Sequence, residues 1–232
     1  MDKLNVLVCD DDKAIVDALE IYLKQENYGV VKAYNGIQAL EALSEQQNIH
    51  LILLDVMMPE LNGLSATIKI REERNLPIII LSAKSEDTDK IAGLNFGADD
   101  YVTKPFNPLE LMARVRSQMR RYTALGSIAN RSGVLKAGAL ELDTDAKEVR
   151  VDGEVVKLTA TEYGILLFLM ENMGRVFSIE QIYENVWKEP LYTSENTVSV
   201  HIRRIREKIE INSREPKYLK VVWGIGYKIE KL

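Results

Sequence analysis

The sequence predicts two domains: an α/β domain with a doubly wound parallel sheet, followed by a smaller α+β domain. Three observations support this. Over the first 122 residues, five short apolar runs alternate with five segments of helical period. A stretch without periodicity, containing glycine and serine, follows at residues 123–133. Beyond it come short alternating segments and further helices, a pattern typical of an antiparallel sheet with packed helices.

The composition excludes a disordered or membrane-spanning chain. Of the 232 residues, 46% are hydrophobic and 28% are charged, as in folded domains. No run approaches the roughly 18 apolar residues that a membrane span needs. Cys9 is the only cysteine, so no internal disulfide can form, and we expect a reducing, cytoplasmic setting without a membrane partner. The formal net charge of -5 gives no indication of nucleic-acid binding.

The five apolar runs predict buried parallel strands, because strands covered on both faces lose the alternation of polar and apolar residues. Five βα units in succession imply a right-handed sheet with helices on both faces. We expect the strand order 2-1-3-4-5. The predicted strands are Leu4–Cys9, Val30–Ala33, Ile49–Leu54, Ile78–Leu81 and Tyr101–Thr103.

Each strand is followed by a segment of helical period. In the first segment Ile15, Leu19 and Tyr22 fall on one face, as in a helix that packs on a sheet. The predicted helices are Lys13–Gln25, Gly36–Glu45, Gly63–Glu73, Glu86–Phe96 and Pro108–Tyr122.

Residues 123–133 predict a flexible linker, which leaves 1–122 and 134–232 as the two domains. In the second domain Asp152-Gly153 predicts a tight turn, and Thr159 with Glu162 has the spacing of a helix capping box. The predicted strands are Ala139–Asp143, Glu148–Val151 and Glu154–Leu158. The predicted helices run from Thr159 to about Met173, over Ile179–Val186 and over Ser194–Glu210, and a hairpin with arms Tyr218–Val222 and Tyr227–Glu230 ends the chain.

Polar side chains follow four strands of the first domain at the point where each strand ends. They are Asp10, Asp11 and Asp12 after the first strand, Asp55 after the third, Ser82 after the fourth, and Lys104 with Pro105 after the fifth. In an open parallel sheet these ends meet where the strand order reverses. The sequence therefore predicts a shallow pocket of carboxylates with one hydroxyl and one ammonium group.

Helix capping explains Asp12 but not the other three carboxylates, which repel one another when clustered. Mg²⁺ would relieve this repulsion, since it takes one or two carboxylates together with phosphate oxygens and waters. Asp55 stands at the end of an apolar strand as the most accessible nucleophile, and carboxylate attack on phosphorus gives an acyl phosphate. Ser82 and Lys104 would neutralise the phosphoryl oxygens.

Over nearly its whole length, the first half resembles the receiver domain of bacterial two-component response regulators, which has a flavodoxin-like strand order. Each matching motif is common alone, but their order and spacing together are specific. The motifs are Val8-Cys9-Asp10-Asp11-Asp12, Leu54-Asp55-Val56-Met57-Met58-Pro59, Asn62-Gly63, Leu81-Ser82-Ala83-Lys84 and Gly97-Ala98-Asp99-Asp100-Tyr101-Val102-Thr103-Lys104-Pro105-Phe106.

The resemblance implies a role for each pocket residue. Asp55 would be the phosphoacceptor, and Ser82 and Lys104 would bind the phosphoryl group. Lys104-Pro105 would be a cis peptide, which an X–Pro bond permits at modest cost. The Mg²⁺ ligands would be Asp10, Asp11, Asp55 and the main-chain carbonyl of Met57.

The resemblance also implies a switch and a dimer. When Ser82 moves toward the phosphoryl group, Tyr101 would turn inward and repack the face formed by the fourth helix, fifth strand and fifth helix. That face would pair two receivers, with Asp100–Arg114 and Lys90–Glu110 as the expected pairs between chains. Its charged residues are Lys90, Asp99, Asp100, Glu110, Arg114 and Arg116.

The helix Ser194–Glu210 predicts a DNA-reading element. Val198, Ile202, Ile205 and Ile209 recur as a buried stripe. A second face is predicted to point outward and suits the major groove, with arginine on guanine edges, methyl groups on thymine and other cations on phosphates. This face comprises Thr197, Val200, His201, Arg204 and Lys208, flanked by Arg203 and Arg206. His201 has no metal-ligand partner in the sequence of this domain, which argues against a metal site. Between a phosphate contact and an ordinary surface position, we favour the phosphate contact.

From about Leu140 onward the chain resembles the winged-helix DNA-binding domain of the OmpR/PhoB subfamily. The motifs are Leu158-Thr159-Ala160-Thr161-Glu162-Tyr163, Thr197-Val198-Ser199-Val200-His201-Ile202-Arg203-Arg204-Ile205-Arg206 and Gly224-Ile225-Gly226-Tyr227. Two residues depart from the subfamily pattern: Trp223 replaces a basic residue of the wing, and Asn196 replaces an arginine before the helix threonine. We expect both positions at the DNA, with a weaker salt dependence of binding. The last residues are most similar to regulators of glycopeptide resistance.

Together the resemblances imply a cytoplasmic transcription regulator that accepts a phosphoryl group and is otherwise no enzyme. A sensor histidine kinase would phosphorylate Asp55, and the receivers would then form a homodimer. Two winged helices would bind adjacent half-sites on double-stranded DNA, where the protein would meet RNA polymerase.

Two other functions stay open. A haloacid-dehalogenase-type phosphatase also has an acidic start like Asp10-Asp11-Asp12, but its nucleophile would be Asp10, which leaves Asp55 unexplained. In that family the acidic pair follows the lysine, whereas Asp99-Asp100 precede Lys104. The second alternative is a DNA-binding protein that works without phosphorylation. The complete set of pocket residues argues against it.

Overall fold

The computed structural model describes residues 3–46, 48–83, 94, 96–124, 133–188 and 196–232. The chain divides into two compact units, Met1–Tyr122 and Thr123–Leu232, and each unit is described by itself. Most of the predicted linker, residues 125–132, lies outside the described residues. None of the described helices combines the length and the hydropathy that crossing a membrane requires.

The first unit contains a five-stranded parallel sheet in the order β2-β1-β3-β4-β5, which confirms the predicted order. In β1 and β3 Cys9 pairs with Leu54, so Asp10 and Asp55 follow at neighbouring strand ends. In β4 and β5 Ser82 pairs with Thr103, one residue before Lys104. The strands are β1 Asn5–Cys9, β2 Gly29–Ala33, β3 Ile49–Asp55, β4 Ile78–Ser82 and β5 Asp100–Thr103.

Four helices of the first unit are described: α1 Lys13–Gln25, α2 Gly36–Glu45, α3 Gly63–Glu73 and α4 Pro108–Ala124. The first three begin and end as predicted, since a side chain at each start accepts a hydrogen bond from the backbone of the first turn. Those capping residues are Asp12, Asn35 and Asn62. The helix predicted over Glu86–Phe96 falls mostly on residues that the structure does not describe, and so does Lys90.

The second unit opens with a four-stranded antiparallel sheet in the order β6-β7-β8-β9. Strand β6 was not predicted from the sequence. Its alternation of apolar and polar residues spans only four positions, directly after the glycine-containing stretch. The strands are β6 Val134–Ala137, β7 Leu140–Asp143, β8 Glu148–Val151 and β9 Glu154–Val156.

Three helices and a hairpin complete this unit: α5 Ala160–Glu171, α6 Ile179–Trp187, α7 Asn196–Ile209, β10 Leu219–Val222 and β11 Gly226–Ile229. The capping box of α5 is present as predicted, with Thr159 and Glu162 each accepting a hydrogen bond from the other's backbone amide. The predicted stripe Val198, Ile202, Ile205 and Ile209 is buried in the core of the unit, which confirms its assignment.

Candidate functional site

The carboxyl edge of the parallel sheet gathers the predicted acidic residues. Asp10 and Asp55 are buried there, and Asp11 beside them is exposed. Ligand oxygens of the three carboxylates lie within 4.8 Å of one another. This oxygen-only donor set, open on one side, has the chemistry that Mg²⁺ prefers.

Lys104 joins the two buried carboxylates. Its Nζ lies 2.5 Å from Asp10 Oδ2 and 2.6 Å from Asp55 Oδ1. Burial alone would lower the pKa of Lys104, but its hydrogen bonds to Asp10 and Asp55 raise that pKa above its usual value. The ammonium group therefore stays charged and offsets two like charges in a partly dry pocket. The Lys104-Pro105 peptide is cis, as predicted.

Backbone amides fix the other oxygen of each carboxylate. The Met57 amide donates to Asp55 Oδ2 at 2.6 Å, and the Asp12 amide donates to Asp10 Oδ1 at 3.0 Å. Both carboxylates are thus held in one orientation by a backbone donor on one side and Lys104 on the other. The Met57 side chain itself is exposed.

Gly63 contributes to the pocket in a way that the sequence motif did not explain. A side chain at this first residue of α3 would place its Cβ only 2.0 Å from the Asp55 carbonyl oxygen. The Gly63 amide also donates to the Val56 carbonyl at 3.0 Å. Glycine is therefore required for α3 to pack directly against the loop that carries Asp55.

Ser82 and Tyr101 lie on the two strands next to this pocket. Ser82 is fully buried, and its carbonyl accepts a hydrogen bond from the Lys104 amide at 2.7 Å. Tyr101 is 4% exposed. Its side chain is therefore buried, and its role in a switch stays a prediction.

Cys9 lies directly under the pocket and is fully buried. Burial, together with the charges of Asp10, Asp55 and Asp11, raises its pKa to about 12. A thiolate is therefore strongly disfavoured, and Cys9 is a core residue and not a nucleophile.

Asp99 was predicted on a charged pairing face, and this is wrong. Asp99 is fully buried. Its carboxylate binds the Arg71 guanidinium and accepts a hydrogen bond from the Ile78 amide at 3.0 Å. A cation from α3 and a backbone donor satisfy the charge inside the chain. The sequence could not show this, because Arg71 is 28 residues away.

Asp100 and Arg114 were predicted to pair between two chains, but in this structure they bind each other within one chain. Both are buried, and Arg114 Nη1 lies 2.8 Å from Asp100 Oδ2. Arg114 also binds Glu110 on the preceding turn of α4 at 2.8 Å. Arg116 does not share this cluster, because it binds Glu26 at 2.9 Å.

The predicted outward face of α7 is wrong for four of its five residues; only Lys208 is exposed. Thr197, Val200, His201 and Arg204 are all buried. The helix packs against both α5 and α6, so a second face is covered besides the apolar stripe. Arg204 Nη2 lies 2.9 Å from Glu162 Oε1, and the His201 ring lies 5.9 Å from that of Trp187.

The open side of α7 carries the two cations that were predicted to flank this face. The Arg203 side chain is 67% exposed. Arg206 is half-buried, with its guanidinium over the Tyr227 ring at 5.7 Å. Arg203 and Arg206 thus lie one turn apart on the open side of α7, whereas Lys208 lies beside Arg204 and binds Glu162. The side chain of Asn196 lies outside the described residues.

Glu162 is a site residue that sequence reasoning treated only as a helix cap. It is fully buried and binds two cations of α7, Arg204 at 2.9 Å and Lys208 at 2.6 Å. Arg204 and Lys208 follow Glu162 by 42 and 46 residues, so no local sequence pattern predicts these contacts. Glu162 therefore fixes α7 against α5.

Comparison with known proteins gives matches over both units. Residues 6–116 match the response regulator receiver domain, and residues 153–229 match the family described as transcriptional regulatory protein, C terminal. The chain is 43% identical to the regulatory protein VanR of Enterococcus faecium over 228 residues, which is 97% of this chain and 98% of VanR. It is 42% identical to the uncharacterized transcriptional regulatory protein YcbL of Bacillus subtilis, over 96% of this chain and 99% of YcbL.

Solved structures agree with these matches. The Thermotoga maritima response regulator DrrB, an OmpR/PhoB homologue, is 34% identical with a TM-score of 0.52, over 99% of this chain and 100% of DrrB. A mutant of RitR is 25% identical with a TM-score of 0.77, over the full length of both chains.

Proposed function

Because the chain belongs to the response regulators with a receiver domain and an OmpR/PhoB-type DNA-binding domain, we propose that phosphorylation of Asp55 switches its binding to DNA. The observation that carries this proposal is the placement of Lys104 Nζ between the carboxylates of Asp10 and Asp55. A nucleophile, an acidic metal-binding group and a charge-neutralising cation meet at one accessible edge of the sheet.

The phosphoryl group would come from a phosphohistidine of a sensor kinase. A carboxylate oxygen of Asp55 attacks phosphorus and the bond between phosphorus and the imidazole nitrogen breaks. The imidazole takes a proton from solvent and leaves as neutral histidine. Lys104 and Ser82 would bind the phosphoryl oxygens, while the Met57 amide orients the carboxylate. Asp10, Asp11, Asp55 and the Met57 carbonyl would hold Mg²⁺, which supplies further charge neutralisation when bound.

Lys104→Met is expected to tighten Mg²⁺ binding about tenfold, because a cation that competes for the oxygens of Asp10 and Asp55 is removed. Isothermal titration calorimetry with MgCl₂ on the full chain measures this. Lys32→Met is the matched control, since Lys32 binds Asp17 and Glu20 away from the pocket and should leave Mg²⁺ affinity unchanged. Unchanged or weaker binding by Lys104→Met would contradict the proposed Mg²⁺ site.

Phosphorylation would act on DNA binding by pairing two receivers, so that two DNA-binding domains engage adjacent half-sites and linkage raises the affinity. We infer a cytoplasmic homodimer that meets RNA polymerase at a promoter and catalyses no turnover of its own. Control of glycopeptide-resistance genes stays a prediction of the sequence resemblance. YcbL, which is almost as similar as VanR, has a name that points to no such genes.

The test uses the purified chain with and without acetyl phosphate. We expect mass spectrometry to find one phosphoryl group on Asp55, and DNA selected from a random pool to bind more tightly after phosphorylation. Equal affinity in both states would support a regulator that works without phosphorylation. Multiple turnover of a phosphomonoester would instead support a phosphatase, and either result would overturn the proposal.

A further inference from the structure

The hairpin at the end of the chain exposes two large apolar side chains. This hairpin, here called the wing, comprises β10, β11 and the turn Trp223-Gly224-Ile225. Trp223 is 88% exposed and Ile225 is 61% exposed. Leaving an indole in water forgoes the large stabilisation of its burial, so a side chain in this position indicates a surface that becomes covered on binding.

The wing is held rigidly at its base. Phe177 and Tyr227 exchange two backbone hydrogen bonds of 2.9 Å. A Cβ at Gly226 would lie 1.9 Å from the Phe177 carbonyl oxygen, so the strand approaches as closely as glycine allows. At the tip, by contrast, no atom lies within 4 Å of where a Cβ of Gly224 would be. A fixed base thus presents an open, apolar tip.

The wing and α7 form one surface. The Tyr227 hydroxyl lies 3.5 Å from Ser199 Oγ, and the Arg206 guanidinium covers the Tyr227 ring at 5.7 Å. Arg206 also donates from Nε to the Leu219 carbonyl at 2.9 Å. A ligand that meets the cationic side of α7 therefore extends onto the wing.

The charge of the wing selects an anionic ligand. Lys220 and Lys228 lie directly opposite each other on the two strands, and Lys228 Nζ binds Glu230 at 2.9 Å. Lys220 therefore faces a like charge that only one carboxylate offsets. Residues 217–232 contain four lysines and one glutamate, although the whole chain has a net charge of -5. An apolar tip between cationic strands fits nucleic acid, whose backbone is anionic and whose base steps are apolar.

We propose that Trp223 is a wedge that enters the minor groove and inserts its indole between two base pairs, bending the DNA. Lys220 would bind a flanking phosphate, and Lys228 would bind another in exchange for its ion pair with Glu230. Apolar side chains inserted from the minor groove unstack a base step and kink the duplex. The inference rests on the proposed DNA-binding function and adds how the wing engages the duplex.

The test uses the full-length protein treated with acetyl phosphate and a duplex that it selects from a random pool. The bend is measured by energy transfer between dyes at the duplex ends. Trp223→Ala is expected to lose about tenfold in affinity and most of the bend. Trp223→Arg should recover affinity through phosphate or groove contacts without recovering the bend. Lys220→Met should weaken binding while the bend of the bound duplex is kept.

Intrinsic fluorescence gives an independent readout, because the chain has two tryptophans in opposite environments. Trp187 is 1% exposed and stacks on Tyr183 at 4.7 Å. DNA should quench the emission of the wild-type chain through Trp223. In Trp223→Phe, where Trp187 alone emits, DNA should leave the emission unchanged.

The outcomes separate this inference from the proposed function. If Trp223→Ala binds DNA with the affinity and the bend of the wild type, the proposed insertion of Trp223 is wrong, while the proposed DNA-binding function is unaffected. If Trp223→Ala lowers transcription in a purified system with unchanged DNA affinity and bend, the wing contacts the polymerase, and the wedge is again wrong. If the wild-type chain selects no duplex in either phosphorylation state, the proposed function itself fails.

Discussion

Asp55→Asn is expected to abolish phosphorylation by acetyl phosphate and, with it, the whole phosphodonor-dependent gain in DNA affinity. The amide is a poor nucleophile, and no other carboxylate of the pocket has the same position. Asp10 is oriented toward Lys104 and the Asp12 amide, and Asp11 is exposed. Intact-mass spectrometry and DNA-binding titrations with and without acetyl phosphate measure the two effects.

Asp17→Asn is the matched control, because Asp17 is an exposed carboxylate of the same unit that binds Lys32. It should be phosphorylated and should respond as the wild type does. A phosphoryl group that persists on Asp55→Asn, or a DNA affinity that still rises with acetyl phosphate, would place the switch elsewhere. Circular dichroism establishes that both variants fold.

Glu162→Gln is expected to destabilise the second unit by about 3 kcal/mol, because it leaves two cations of α7 near a buried position without their anion. Glutamine keeps the shape of the side chain and can still serve in the capping box, so the change isolates the charge. The partners that lose their anion are Arg204 and Lys208. Urea unfolding followed by fluorescence of the buried Trp187, in a Trp223→Phe background, measures the loss.

The stability difference between the wild type and Glu162→Gln is expected to depend on pH. Burial would raise the pKa of Glu162, but Arg204 and Lys208 lower it below its ordinary value. The stability contributed by ionised Glu162 is therefore present above the unfolded carboxyl pKa of about 4.3 and is lost as the pH falls through the lower folded value. The difference between wild type and Glu162→Gln should narrow below about pH 4.

Glu207→Gln is the control for this variant. Glu207 also binds an arginine of α7, Arg203, but both side chains of this ion pair are exposed. Its loss of stability should be small, as for exposed ion pairs. Equal losses in the two variants would show that burial of Glu162 has no energetic consequence. A Glu162→Gln chain as stable as the wild type would show that the ion cluster does not hold α7.

The ion cluster of buried Asp100 and Arg114 with half-buried Glu110 bears on how two receivers would pair. Arg114 Nη1 donates to both oxygens of Asp100, and Glu110 Oε1 accepts from Nε and Nη2 of the same guanidinium. Pairing between chains through these residues would first have to break contacts that are already satisfied. The charges alone therefore do not determine which surface two receivers would share.

The sequence by itself determined the parallel sheet, its strand order, the bounds of the first three helices and the acidic pocket. Each depends on a short-range signal. Apolar runs mark buried strands, and capping residues such as Asp12, Asn35 and Asn62 mark helix starts. The sheet topology then carries the residues after β1, β3 and β5 to one edge, so Asp10, Asp55 and Lys104 meet without further information.

Only the tertiary structure decided which charged residues are buried. Asp99, Arg114 and Arg204 look like surface residues in the sequence, and each is buried because another element supplies its counter-charge. Helical periodicity identifies only the most apolar stripe of α7. In the folded chain α5 and α6 pack against this helix and cover a second face as well. A charge is stable inside a protein when its partner is in place, and that partner comes from the folded chain rather than from its neighbours in sequence.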